Sequence, residues 1–95
     1  MVITSEQVRA ARALLRWDER DLSEAAKLPL SLVARLEAHP GLLAAEPSAI
    51  EALRAAFAAA GLDFIEENGG GAGVRLRKPG GEGLAPEELN ASNDE

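Results

Sequence analysis

Asp18-Glu19-Arg20-Asp21-Leu22-Ser23-Glu24-Ala25-Ala26-Lys27-Leu28-Pro29-Leu30-Ser31-Leu32-Val33-Ala34-Arg35-Leu36-Glu37 decides how this chain folds. Two short amphipathic patterns meet in it across a tight turn. Asp18 suits a helix N-cap, where a short side-chain oxygen accepts from an early backbone N–H. Leu22, Ala25 and Ala26 give the apolar side of a helix from about Asp18 to Ala26. Lys27 and Leu28 form the turn. The next helix starts near Pro29, since a first-turn position does not need the missing N–H. It continues through Leu32 or Val33, Leu36 and Ala38, and stops at His39-Pro40-Gly41. Two helices joined this way have the shape of a helix-turn-helix, which lays its second helix in the DNA major groove.

Upstream, the spacing predicts a helix from Ser5 to Trp17, capped by Thr4 or Ser5, with Val8, Ala11, Leu14 and Leu15 on its buried face. Arg9, Arg12, Arg16 and Arg20 fall on a common flank. They are either a solvated arginine face or a stripe for phosphate or an acidic partner. Downstream, residues 39–48 form a connection whose Leu42 and Leu43 are expected to cover the core. A fourth helix is expected from Ser48, with Glu51 at capping-box spacing and Ile50, Leu53, Phe57 and Ala60 as its stripe. Gly61 ends it at a position suited to positive φ. The period then changes from helix to strand. Residues 62–67 and 74–78 flank the loop Asn68-Gly69-Gly70-Gly71-Ala72-Gly73, a β-hairpin pattern. Val74 and Leu76 point to one face of it, Arg75 and Arg77 to the other.

At 95 residues the chain is one small domain, rich in Ala and Leu and poor in aromatics, which suits short packed helices. It has no cysteine, so disulfides and thiolate metal sites are excluded; this fits a reducing cytoplasm. No apolar run reaches the roughly 20 residues of a membrane span. The N-terminus does not have the pattern of a signal peptide. The net charge of −6 is uneven. Residues 1–79 hold ten basic and eleven acidic side chains, a balance of −1, and residues 80–95 hold five acids and no base. The chain thus divides into a folded part, 1–79, and an acidic tail, 80–95, expected to be disordered.

Residues 5–60 resemble the helix-turn-helix domain of the phage-repressor-like (XRE, Cro-type) transcriptional regulators. Leu22 and Ala25 match in the second helix; Val33, Arg35, Leu36 and Glu37 match in the third. The alanine-rich fourth helix and the stretch from Gly61 to Pro79 are similar to the end of short bacterial regulators of this type. The resemblance covers about 75 residues. It implies a mainly α fold, a four-helix helix-turn-helix domain followed by a C-terminal β-hairpin, and a DNA-binding transcriptional regulator. Three departures bear on that function. Ser or Thr followed by Gln often opens the second helix in this family, and here Asp18 and Glu19 stand there, two carboxylates that repel phosphate. Lys27 replaces the usual turn glycine. The base-reading positions hold Pro29, Leu30, Ser31 and Leu32, so Ser31 and Arg35 are the polar readers, with Arg35 able to pair with guanine.

The resulting expectation is a homodimeric regulator of double-stranded DNA, cytoplasmic and nucleoid-associated when bound. Leu30, Ser31 and Arg35 would face bases, and Arg20, Lys27, Arg75 and Arg77 would contact phosphate. The dimer would form through Phe64, Ile65, Val74 and Leu76 on the hairpin, because a small core and open strand edges both favour association. A monomer whose hairpin folds back on helices one and four is the other arrangement. The alternative function is a protein-binding module docking on a repressor, sigma factor or polymerase through Leu30, Leu32 and the Asp18/Glu19 rim. An enzyme is not expected. The one histidine, His39, sits at a helix end, metal-ligand clusters and cofactors are not expected, and the Gly69–Gly73 run precedes no helix and so is not a phosphate loop.

Overall fold

The computed structural model describes residues 2–77. The expected acidic tail and the residues 78–79 before it lie outside them. Within them, four helices precede an antiparallel two-stranded hairpin: α1 (Ser5–Leu15), α2 (Glu19–Ala26), α3 (Leu30–Ala38), α4 (Pro47–Ala59), β1 (Leu62–Ile65) and β2 (Gly73–Leu76). The fold is mainly helical. None of the described helices is long and apolar enough to cross a membrane.

Helix α1 starts where its cap is strongest. Thr4 Oγ1 accepts from the Gln7 N–H at 3.1 Å, and Gln7 Oε1 accepts from the Thr4 N–H at 2.9 Å. This reciprocal box satisfies two N–H groups that the first turn leaves without partners. The helix ends at Leu15, two residues before the expected Trp17, because Arg16 turns left-handed at φ 59°. Val8 and Ala11 are buried and Leu15 half-buried, but Leu14 is 44% exposed, against expectation. In α2, Leu22 and Ala26 are buried as expected. Ser23 takes the inward place and Ala25 is exposed. Lys27 adopts αL at φ 58°, a conformation that costs a non-glycine residue on the order of 1 kcal/mol.

Pro29 is the N-cap of α3 and not its first residue. Val33, Leu36 and Glu37 form the buried face of that helix, and Ala38 is exposed. Leu43 is buried behind it, whereas Leu42 is 65% exposed and covers no core. The reason is a short extended pairing: Thr4 bridges Leu42, and the Leu43 N–H donates to the Ile3 carbonyl at 3.1 Å. Side chains alternate across such a pairing, so one leucine points in and the next out. Helix α4 starts at Pro47 with Glu46 as its cap, one turn position ahead of Ser48. The Ser48–Glu51 box does not form, and Glu51 pairs with Arg54 instead. Leu53, Ala56 and Phe57 make the buried stripe, with Ile50 and Ala60 half-buried. Gly61 ends α4 at φ 95° as expected.

The hairpin register is Leu62↔Leu76, Asp63↔Arg75, Phe64↔Val74 and Ile65↔Gly73. It packs on α1 and α4. Phe57 joins the three aromatic side chains into one column: Trp17 stacks on it at 5.6 Å between centroids, and Phe64 meets it edge-on at 5.5 Å. Gln7 fastens the other side. Its Nε2 donates to the Gly73 carbonyl at 3.0 Å and the Ile65 carbonyl at 3.3 Å. One buried amide therefore caps α1 and holds the loop end of the hairpin. Gln7→Ala should lower stability by about 1–2 kcal/mol, since it removes the cap bond and the bonds to two half-buried carbonyls. Urea unfolding followed by helical circular dichroism measures the loss, and Gln7→Glu should restore only the cap part of it, because a carboxylate accepts from the Thr4 N–H but cannot donate to those carbonyls.

Candidate nucleic-acid interface

The α2–turn–α3 unit stands on α1 through one buried ion pair. Arg12 Nε donates to Glu37 Oε2 and Nη2 donates to Oε1, both at 2.7 Å, in a fork-on-fork geometry. Its Nη1 donates to the Trp17 carbonyl at 2.9 Å. The Glu37 side chain is 4% exposed and that of Arg12 19%. The hydrogen bond to Glu37 holds the Arg12 guanidinium above its ordinary pKa, against the opposing effect of burial. Arg9 Nη1 adds a bond to the Glu37 carbonyl at 2.9 Å. Two members of the expected arginine flank, Arg9 and Arg12, are thus turned to α3. The sequence offered a signal for this: Glu37 sits among the buried positions of α3, where a lone carboxylate needs a partner.

With Val33, Leu36 and Glu37 inward, Ser31 and Arg35 lie four residues apart on the outer face of α3, and both are exposed. Leu30 is half-buried. Leu32 is half-buried and packs against the core, so little of it is offered to a partner. Arg20 on α2 and Lys27 in the turn are exposed. Among the described residues, Arg16, Arg20, Lys27 and Arg35 are the Lys and Arg side chains outside any ion pair. Arg9 lies 3.8 Å from Glu6, Arg12 holds Glu37, Arg54 holds Glu51, Arg75 lies 3.9 Å from Asp63, and Arg77 also holds Asp63. Arg77 further donates to the Ala58 carbonyl at 2.6 Å. The expected phosphate contacts Arg75 and Arg77 are therefore drawn to Asp63 at the hairpin, away from Arg20, Lys27, Ser31 and Arg35. Of the hairpin residues expected at a dimer interface, Phe64 and Val74 pack on the core of their own protomer. Ile65 is half-buried, and Leu76 is 42% exposed.

Carboxylates share this surface. Asp18 and Asp21 cap α2 reciprocally: Asp18 Oδ1 accepts from the Asp21 N–H at 2.8 Å, and Asp21 Oδ2 accepts from the Asp18 N–H at 3.0 Å. Two amides at this helix start, those of Asp18 and Asp21, thus already serve carboxylates. The Asp21 backbone N–H is also the main reason the Asp18 carboxyl titrates below its ordinary range. Glu19 is half-buried and Glu24 exposed. His39 is the exposed C-cap of α3. No group of His, Asp and Glu among the described residues is arranged to hold a metal ion. Comparisons with protein-family models, curated proteins and solved structures return no match.

Glu37→Ala should cost about 2–3 kcal/mol, because it leaves the half-buried Arg12 guanidinium without its carboxylate. The double change Arg12→Leu/Glu37→Leu should cost less than Glu37→Ala alone, as read from urea midpoints. The lowered Asp18 pKa gives a second test. A carboxyl with a depressed folded-state pKa stabilises above its unfolded value, and that contribution is lost as pH falls through the folded one. Thermal stability should therefore fall below about pH 4. Asp18→Asn, which keeps an N-cap acceptor, should flatten that part of the pH profile.

Proposed function

We propose that this chain is a DNA-binding transcriptional regulator that lays α3 in the major groove. The observation that carries the reading is the distribution of cations. The Arg and Lys side chains outside ion pairs among the described residues all fall between residues 16 and 35, from the end of α1 to the outer face of α3. Elsewhere among the described residues each takes part in an ion pair within the chain, Arg75 and Arg77 sharing Asp63. A surface that keeps its cations available suits a polyanion, since phosphate neutralisation with release of counterions supplies much of the affinity in such complexes. Lys27 and Arg20 would meet phosphates. Ser31 and Arg35 would face base edges, and Leu30 would touch a thymine methyl at most. This is the phage-repressor-like use of a helix-turn-helix, in a cytoplasmic protein.

The working form we propose is a homodimer. The exposed Leu76 and the two open edges of the hairpin support it, and twofold pairing of hairpins would set two copies of α3 against two half-sites.

A second reading is favoured by the exposed carboxylates of α2, Asp18, Asp21 and Glu24, which disfavour phosphate. In that reading the unit docks on a protein of the transcription machinery. Duplex binding at two salt concentrations separates the two. Wild type should bind with salt-dependent affinity. Glu19→Gln should strengthen binding several-fold by removing a repulsive charge, and Arg35→Ala should weaken it by about 1–3 kcal/mol with loss of base preference. Absence of salt-dependent binding by all three proteins would reject the regulator and leave the protein-binding module.

A further inference from the structure

A hollow of about 190 Å³ opens at the C-terminal end of α3, lined by Arg35, Leu36, His39, Leu42 and Ala44. Leu36, Leu42 and Ala44 make an apolar wall, and Leu42, held outward by the Thr4 pairing, is 65% exposed. Arg35 brings a positive charge to the edge of the hollow, and the His39 imidazole a hydrogen-bonding group. Among the described residues Arg35 has no ion-pair partner and no carboxylate lines the hollow. The site fits a short segment with apolar side chains next to carboxylates and without positive charge.

The chain carries such a segment. Leu84-Ala85-Pro86-Glu87-Glu88-Leu89 sets two adjacent acids between apolar residues, and the whole stretch from 80 to 95 holds no Lys or Arg. Reach is sufficient. Glu87 and Glu88 follow Arg77 by ten and eleven residues, which extends to roughly 35 Å. The molecule measures 43 × 32 × 20 Å along its principal axes, and Leu42 beside the hollow is linked to the hairpin through Thr4 and Gln7. The geometry points to this hollow as a docking site for the chain's own acidic C-terminal segment: Glu87 and Glu88 pair with Arg35 and His39, and Leu84 or Leu89 covers Leu42. Because Arg35 is also the base-reading side chain of the proposed function, a docked segment withholds it from DNA. This regulatory consequence rests on the regulator reading; the docking itself does not.

The full chain has no cysteine, so Ala91→Cys accepts a single nitroxide spin label. Broadening of backbone amide signals at low salt should then concentrate at Arg35, His39, Leu42 and Ala44 and spare α4. It should disappear when Glu87→Gln and Glu88→Gln are added. A short duplex should restore the broadened signals, and the double Gln variant should bind that duplex several-fold more tightly than wild type. Uniform broadening, or broadening centred on α4 or the hairpin, would overturn the proposal. So would equal broadening in an isotope-labelled copy mixed with a spin-labelled one, which would assign the segment to a second molecule. Tighter duplex binding by the Gln variant without local broadening would also overturn it, as a general charge effect. Local broadening in a protein that binds no duplex would keep the docking site and reject the regulator.

Discussion

The Arg12–Glu37 pair sets the position of everything that α3 presents. Burying two charges is expensive, and such a pair seldom adds stability over apolar side chains of the same volume. What it adds here is direction. Its forked geometry accepts one orientation of α3 against α1, and the Arg9 bond to the Glu37 carbonyl holds the same helix end. With Glu37 held inward, Ser31 and Arg35 can only face out. The third arginine nitrogen reaches the Trp17 carbonyl, so the same side chain also ties down the α1–α2 junction.

Around that clamp a few polar and aromatic contacts tie the remaining elements together. Phe57 sits between Trp17 and Phe64, joining the α1–α2 junction, α4 and β1 in a single column. Gln7 bonds to both strands from the other side. A two-stranded hairpin is marginal alone. These two attachments explain why it lies against α1 and α4, and they draw Phe64 and Val74 into the core of one protomer.

Local chemistry was legible in the residues; long-range pairing was not. Asp18 as a cap, Lys27 in the left-handed region, Gly61 at the end of α4 and the hairpin around Gly69–Gly73 all follow from neighbours in sequence, and the structure has them. Leu14 and Leu42 looked buried because they are apolar, yet exposure depends on partners far along the chain. Arg12 looked like part of a solvated stripe because Glu37 is 25 positions away. Ser48 lost the α4 start to Pro47, a residue pre-set for the first turn. In the candidate interface, the exposure of Ser31 and Arg35 followed from helical spacing. The pairing of Arg75 and Arg77 with Asp63 needed the hairpin register.

The surface that results is mixed: Arg16, Arg20, Lys27 and Arg35, without ion-pair partners among the described residues, beside the carboxylates of α2. The account rests on the cations outweighing those acids at a phosphate backbone. Titrating an isotope-labelled full chain with a random-sequence duplex at low salt, and following its backbone amide signals, tests this most directly. The account predicts that signals from Lys27 to Arg35 move first and return as salt is raised. Movement confined to α4 and the hairpin, or no movement in that segment at any duplex concentration, would contradict it.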